Sequence, residues 1–203
     1  MNPGTIIILN GTSSSGKTSI VKALQDAFDE PYLEAGLDKF IWMLPERYLD
    51  RPLWDDVLGL ATQAGRTGRQ LVAGMHQAIQ ALSQAGINVI ADHVLVEASW
   101  WLDCVQRFSD RPAYLVGVRC PLHVLEQREK ERRNRTLGQA RAQYEAVHGL
   151  GIYDVEVDTS RSTPEECALQ IKTRVNAGVS PSALKNLKQQ IAGFQPHAVH
   201  AGR

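Results

Sequence analysis

The segment after the first apolar run of the chain has the residue types and the spacing to bind phosphate. It matches the pattern G-x-x-x-x-G-K-[ST] in full, between a strand that ends at Asn10 and a helix that opens near Thr18. In this arrangement backbone N–H groups bind phosphate oxygens, the lysine neutralises their charge, and the last hydroxyl ligates Mg²⁺. The candidate nucleotide-binding residues are Gly11, Thr12, Ser13, Ser14, Ser15, Gly16, Lys17, Thr18 and Ser19. The pattern therefore predicts a site for ATP and magnesium, with Lys17 acting in catalysis.

A chance turn rich in glycine and serine is the alternative interpretation of this segment. At ordinary residue usage the pattern arises by accident in about one chain in a hundred of this length. The flanking strand and helix make an accident rarer still. We therefore favour nucleotide binding.

An aspartate and a cluster of arginines extend the predicted site. Asp92 ends a predicted strand, where a carboxylate can hold the hydration shell of magnesium, although it could instead cap the next helix. The arginines are Arg128, Arg132, Arg133 and Arg135. Their spacing predicts a short lid over the phosphates, with Arg128 binding nucleotide and Arg132 and Arg135 acting in catalysis. The alternative is a solvated face, because three glutamates are interleaved with them, namely Glu126, Glu129 and Glu131.

The other sequence features narrow the class of protein. No Asn/Thr-Lys-x-Asp motif for guanine specificity is present, and helicases or transporter ATPases usually have larger chains or further motifs. The 203 residues contain 22 Lys and Arg against 22 Asp and Glu, so no excess of positive charge predicts binding to nucleic acid or to membrane. A small-molecule or nucleoside kinase is the class that remains.

Cysteine usage and hydropathy predict a cytoplasmic protein. Cys104, Cys120 and Cys167 are far apart and lack the spacing of metal ligands, which favours a reducing compartment without structural zinc. No apolar run approaches the 18 residues of a membrane span, and the first residues do not have the character of a signal peptide.

Repeated units of strand and helix must position the candidate site. Apolar runs predict buried parallel strands at Thr5–Leu9, Ile87–Ala91 and Tyr114–Val118, with shorter candidates at Tyr32–Ala35 and Asp154–Val157. The sequence Thr163-Pro-Glu-Glu166 predicts a capping box for a helix that ends before Gly178. Ligands of such sheets bind at the carboxyl ends of the strands, where the phosphate loop and Asp92 are expected.

The composition changes after Gly178, and we expect a domain boundary there. Residues 1–178 are predicted to form a P-loop kinase domain, and residues 179–203 a C-terminal extension. Within the extension, Leu184, Leu187 and Ile191 could share one face of a short helix, and a mobile tail is expected to follow it.

From Ile6 to about Ile171 the sequence resembles the chloramphenicol phosphotransferases, a family of P-loop kinases. The shared segments are Ile8–Thr18, Glu34–Asp38, Val89–Val94, Val116–Cys120, Arg128-Glu129 with Arg132 and Arg135, Val147-His148 and Tyr153–Thr159. The last of these is more specific than the phosphate loop. The resemblance implies an α/β P-loop kinase fold, with a five-stranded parallel sheet flanked by helices on both faces, to which the arginine cluster would add a short arginine-rich lid. It also implies ATP and Mg²⁺ as cofactors and phosphorylation of a primary hydroxyl of chloramphenicol.

The resemblance further implies that Asp38 is the general base, because it matches an aspartate in a Gly-hydrophobic-Asp segment after the second strand. The residues agree with this role, since Asp38 follows a short strand and Gly36 and would face the phosphate loop. A carboxylate there can take the proton of an acceptor hydroxyl. The alternative is a helix N-cap for residues 39–44.

The acceptor region is where the sequence matches the family least. Residues 41–76 contain apolar side chains that could line a pocket or form simple core. They include Trp42, Met43, Leu44, Tyr48, Trp54 and Met75. The expected partner is a small hydroxylated compound, chloramphenicol or similar, and an oligomer is compatible with the sequence. Other hypotheses are a kinase of an endogenous metabolite, a toxin-like kinase of nucleotide sugars and a non-catalytic ATP-binding sensor.

Overall fold

A parallel sheet of five strands forms the centre of the computed structural model, which describes residues 2–46, 66–131 and 137–193. The strands are β1 (Ile6–Asn10), β2 (Tyr32–Glu34), β3 (Asn88–His93), β4 (Ala113–Arg119) and β5 (Val155–Asp158). Their order is β2-β3-β1-β4-β5, with every neighbouring pair parallel. The five predicted strands are confirmed, each within two residues of its predicted bounds.

Helices cover both faces of the sheet, which confirms the predicted fold class. In the described ranges they are α1 (Lys17–Ala27), α2 (Leu37–Ile41), α3 (Arg66–Gln84), α4 (Ala98–Phe108), α5 (Leu122–Glu131), α6 (Gln139–Tyr144), α7 (Pro164–Asn176) and α8 (Ala183–Gly193). Buried side chains of α1 and α7 pack on one face, and those of α3, α4 and α8 pack on the other. Over these ranges, no helix combines the length and the apolar character needed to cross a bilayer.

The start of α7 has the predicted capping box. The Thr163 hydroxyl accepts a hydrogen bond from the Glu166 N–H at 3.2 Å, and the Glu166 carboxylate accepts one from the Thr163 N–H at 2.8 Å. Pro164 occupies the first turn, where its missing N–H costs nothing, and Gly178 follows the helix with φ 69°. This local signal therefore fixes both ends of the helix.

Helix α8 packs onto the sheet. Leu184 and Leu187 are buried in the same apolar cluster as the centre of β1, and Ile191 packs against that cluster. The Asp154 carboxylate, just before β5, accepts the Ser182 N–H at 2.7 Å and so ties the start of α8 to the sheet edge. The described part of residues 179–203 shares its core with the rest of the chain, while the boundary at residue 178 stays a prediction.

A chain of polar side chains crosses the core beside the end of β3. The Val94 N–H donates to Nδ1 of His93 at 2.7 Å, so that imidazole carries its proton on Nε2 and donates it to Nε2 of His76 at 2.8 Å. His76 in turn donates from Nδ1 to the Asp103 carboxylate at 2.7 Å. Burial, reinforced by His76 and Lys17, lowers the pKa of His93 well below its usual range. These bonds lock α3 and α4 against the strand that carries Asp92.

Candidate active site

The phosphate loop follows β1 and leads directly into α1. A Cβ atom at Gly11 would lie 2.7 Å from the Val118 carbonyl oxygen, so a side chain there would push the loop off β4. Gly16 has φ 88° and forms the N-cap of α1. Ser14 has φ 63°, and no other non-glycine residue in the described ranges has a positive φ. The loop therefore holds one strained residue, as functional loops often do.

Three serine hydroxyls of this loop are buried without a partner in the described structure. The side chains belong to Ser13, Ser14 and Ser15, whose exposed fractions are 7%, 4% and 0%. A buried hydroxyl that makes no hydrogen bond costs about 1–3 kcal/mol. Phosphate oxygens would accept hydrogen bonds from these groups, so the loop has the donor set that a nucleotide requires.

Lys17, Thr18 and Asp92 meet at the start of α1. The Lys17 ammonium donates to the carbonyl oxygens of Gly11 at 2.9 Å and Thr12 at 2.6 Å, and it lies 3.6 Å from the Asp92 carboxylate. The Thr18 hydroxyl donates to the other oxygen of Asp92 at 3.2 Å. Two adjacent oxygens of this kind suit Mg²⁺, which usually takes its remaining ligands from water and phosphate.

The capping interpretation of Asp92 is wrong. Asp92 lies within β3, paired in register with Leu9 of β1, and the next helix has Glu97 as its N-cap. The side chain is therefore held at the carboxyl end of the sheet, beside the phosphate loop.

Asp38 lies in the first turn of α2, whose N-cap is Gly36, so the N-cap interpretation of Asp38 is wrong as well. One pocket is lined by Lys17, Thr18, Asp38 and Asp92 together. The approach depends on Gly36, because a Cβ atom there would lie only 2.8 Å from the Cβ atom of Asp92. The structure thus brings the candidate base and the candidate magnesium ligands to one place.

Arg128 of α5 reaches the phosphate loop through Thr159. Its guanidinium donates to the Thr159 hydroxyl at 3.0 Å and to the Thr159 carbonyl oxygen at 2.8 Å, and the same hydroxyl donates to the Ser15 carbonyl oxygen at 2.8 Å. Arg128 also lines a second pocket with Gly16 and Ser19. Arg132 and Arg135 lie outside the described residues, as do Arg133, Tyr48 and Trp54.

A family model described as chloramphenicol phosphotransferase-like protein matches residues 4–176. The chain belongs to this family. A relative from Mycobacterium tuberculosis strain H37Rv, named as a proposed O-phosphotransferase, is 34% identical in an alignment that covers 94% of this chain and 90% of the relative. The predicted resemblance is confirmed. This member of the chloramphenicol phosphotransferase-like family is a P-loop phosphotransferase of the kinase class that acts on a small molecule.

Solved structures of kinases share the fold of this family member. A sugar kinase from Janibacter sp. HTCC2649 superposes with a TM-score of 0.66 at 17% identity, over 87% of this chain and 96% of that chain. The APS kinase of Mycobacterium tuberculosis, solved with AMPPNP and APS, gives 0.61 at 16% identity, over 86% and 99%. At these identities the likeness is one of fold, the P-loop kinase fold that the sequence predicts.

The structure adds functional candidates on α5 and α6 that the sequence interpretation missed. Gln139 and Gln143 of α6 line the same pocket as Lys17 and Asp38. The alternative of a solvated face places Glu129 on the surface. Its exposed fraction is only 2%, so the alternative is wrong for this residue. The spacing of Gln139 and Gln143, four residues apart, indicates only that they share a helix face.

Two family-like segments, Val147-His148 and the start of Tyr153–Thr159, support the base of the phosphate loop. Asn10, the last residue of β1, donates to the Val147 carbonyl oxygen at 2.7 Å and to the Tyr153 hydroxyl at 3.0 Å. Tyr153 then donates its own proton to Nδ1 of His148 at 2.6 Å. Burial raises the pKa of Tyr153 to about 12, while burial, with Arg119 and Lys17 nearby, lowers the pKa of His148 to about 4. Both groups are therefore neutral at pH 7.

Proposed function

We propose that this protein transfers the γ-phosphoryl group of ATP to a hydroxyl of a small molecule. The observation that supports this most is the shared pocket of Lys17, Thr18, Asp38 and Asp92 at the carboxyl ends of β1 and β3. A cation, a pair of magnesium-type oxygens and a carboxylate within one pocket are the parts that phosphoryl transfer to an alcohol needs.

The phosphate loop would bind the ATP phosphates. Its backbone N–H groups and the buried hydroxyls of Ser13, Ser14 and Ser15 would donate to phosphate oxygens. Lys17 would neutralise charge on the β- and γ-phosphates, and Thr18 and Asp92 would hold Mg²⁺, which supplies further charge neutralisation when bound. Arg128 lines the cleft beside Gly16 and Ser19 and would contact the nucleotide there.

Asp38 would act as the general base. As the acceptor oxygen forms its bond to the γ-phosphorus and the bond from phosphorus to ADP breaks, the hydroxyl proton passes to the Asp38 carboxylate. Phosphoryl transfer generally passes through a loose transition state, so much of the benefit of Asp38 would come from orienting the hydroxyl. Arg132 and Arg135 are proposed to stabilise the charge of the transferring group.

The acceptor is proposed to be a small hydroxylated compound such as chloramphenicol, which the description of the family supports. A panel of hydroxylated compounds, chloramphenicol included, would be incubated with labelled ATP and the protein. We expect labelled phosphate to appear on an acceptor, and ATP turnover to depend on that acceptor. ATP binding without transfer to any compound would favour the non-catalytic sensor.

Asp38→Asn tests the mechanism, because the amide keeps the shape of the carboxylate and cannot accept the proton. We expect kcat to fall by about 10²- to 10⁴-fold, the range of one general acid or base, with ATP affinity and melting temperature unchanged. The matched control is Asp26→Asn, at an exposed position near the far end of α1. Wild-type turnover in the Asp38 variant would assign the proton transfer to another group.

A further inference from the structure

One peptide unit of the phosphate loop is held at both of its polar ends. Its carbonyl group, that of Thr12, accepts a hydrogen bond from the Lys17 ammonium at 2.6 Å. Its N–H group, that of Ser13, donates to the side-chain oxygen of Gln143 at 2.7 Å. Rotation of this peptide would break both bonds at once, so Gln143 restrains the group on which Lys17 is anchored.

Gln143 is placed to impose this restraint rigidly. Its side chain is fully buried, at 0% exposure, and it shares the pocket of Lys17 and Asp38. A buried amide that accepts a hydrogen bond from a backbone N–H loses that favourable interaction if it moves. Ser14, the residue after Ser13, has a strained positive φ. The loop is therefore expected to change conformation if the hydrogen bond to Gln143 is removed.

Glu129 fixes the short helix that carries Gln143. Helix α6 has six residues, and its N-cap Gly138 offers no side chain to the first turn. The two carboxylate oxygens of Glu129 accept the Gly138 N–H at 2.7 Å and the Ala140 N–H at 2.9 Å. A carboxylate at this end of a helix also interacts favourably with the helix dipole. The position of α6, and hence that of Gln143, depends on Glu129.

We propose that Gln143 is a positioning residue for phosphoryl transfer, which orients the Thr12–Ser13 peptide and through it Lys17, with Glu129 setting the helix that presents it. This inference rests on the proposed function. The other side of the loop is held independently, since the Ser15 carbonyl oxygen accepts a hydrogen bond from the Thr159 hydroxyl, which in turn accepts one from Arg128. Loss of Gln143 should therefore loosen one end of the loop and leave the other in place.

Two substitutions separate positioning from general stability. Gln143→Met keeps the length and the apolar packing of the side chain but has no acceptor for the Ser13 N–H. We expect kcat to fall by about 10- to 10²-fold, the loss that a misplacement of about 1 Å produces, while the melting temperature falls by only about 1–6 °C, the effect of one lost hydrogen bond. Gln143→Glu keeps an acceptor and adds a negative charge beside the phosphates, so it should mainly raise the KM for ATP. Gln170→Met, at an exposed position on α7, is the matched control.

A double-mutant cycle tests the role of Glu129. In Glu129→Gln one of the two backbone N–H groups loses its acceptor, so we expect a loss of kcat similar to that of Gln143→Met. The double variant should lose little more than the worse single variant, because both changes release the same peptide. Additive losses would show that the two residues act separately and would overturn the proposal that Glu129 acts through Gln143.

Amide hydrogen exchange provides a readout that does not require turnover. The Ser13 amide should be protected in the wild type and exchange faster in Gln143→Met. A kcat of Gln143→Met within twofold of the wild type would overturn the proposal, as would equal losses of stability and activity in both Gln143 variants. If the wild type transfers phosphate to no acceptor, the proposed function fails, and Ser13 exchange still decides whether Gln143 restrains the loop.

Discussion

Gly36→Ala is predicted to damage the site through steric contact alone. Gly36 has φ −75° and ψ 163°, an extended conformation that alanine adopts without strain. A Cβ atom there would nevertheless lie 2.8 Å from the Cβ atom of Asp92 and 3.2 Å from its backbone N and O atoms. The substitution therefore adds one methyl group at the contact between the segment of Asp38 and the strand of Asp92.

The size of the effect follows from these distances. Ordinary contact begins at 3.4 Å, so the two segments must separate by at least about 0.6 Å. Asp92 lies in a strand paired on both sides, so the segment that leads into α2 should move, and Asp38 lies two residues further along it. Overpacking of this kind costs about 1–3 kcal/mol, which lowers Tm by about 2–12 °C for a domain of this size. A shift approaching 1 Å at the base should lower kcat by about 10- to 10²-fold.

The assay compares Gly36→Ala with Gly74→Ala by kcat and by thermal unfolding. Gly74 lies within α3, and a Cβ atom there would have no atom of the described residues within 4 Å outside its own helix backbone and chain neighbours. Alanine at this position should stabilise the helix by about 0.5–1 kcal/mol and leave kcat unchanged. Wild-type stability and turnover in Gly36→Ala would refute the steric argument. Lower stability with full turnover would show that the backbone displacement at Gly36 does not reach Asp38.

Three further predictions concern stability. His148 has a pKa of about 4 in the folded protein, against 6.5 when unfolded, so its contribution to the free energy of unfolding is lost as the pH falls from 6.5 to about 4. His148→Asn keeps an acceptor for the Tyr153 hydroxyl but does not titrate, so it should flatten the slope of Tm against pH in this range. Ser14→Gly should raise stability without nucleotide by up to about 1 kcal/mol in urea unfolding, because φ 63° suits glycine. Leu187→Ala should cost about 2–5 kcal/mol in the same assay, because Leu187 is fully buried.

The features that the sequence predicted depend on neighbours along the chain. The capping box at Thr163 and the strand of β1 need only local residue types, and both lie where the pattern places them. The meeting of Asp38 and Asp92 with Lys17 follows from one further rule, that the carboxyl ends of parallel strands share an edge. Local signals and sheet topology were enough for that part of the candidate site.

Other contacts of the site join residues that are distant in sequence and have no repeating pattern. Gln143 and Ser13 are 130 residues apart, and one glutamine gives no periodic signal. Helix α6 is too short to be stable by its own propensity and depends on the buried carboxylate of Glu129. In the sequence Gly36 looks like any loop glycine. A side chain is excluded at this position because Asp92 lies so close to it in the fold. Sequence patterns cannot reveal a close approach of this kind.

The phosphate-loop motif thus supplies hydrogen-bond donors for phosphate, but residues outside the motif determine how those donors are oriented. Lys17 binds the Thr12 carbonyl from within the motif, and the N–H on the other side of that peptide needs an acceptor that the motif does not contain. Gln143 is that acceptor here, and Thr159 plays the corresponding part for the Ser15 carbonyl. A chain that keeps the eight motif residues and loses these two partners would retain the capacity to bind phosphate, because the donors remain. It would lose the fixed geometry that rapid transfer requires, since positioning contributes directly to the rate.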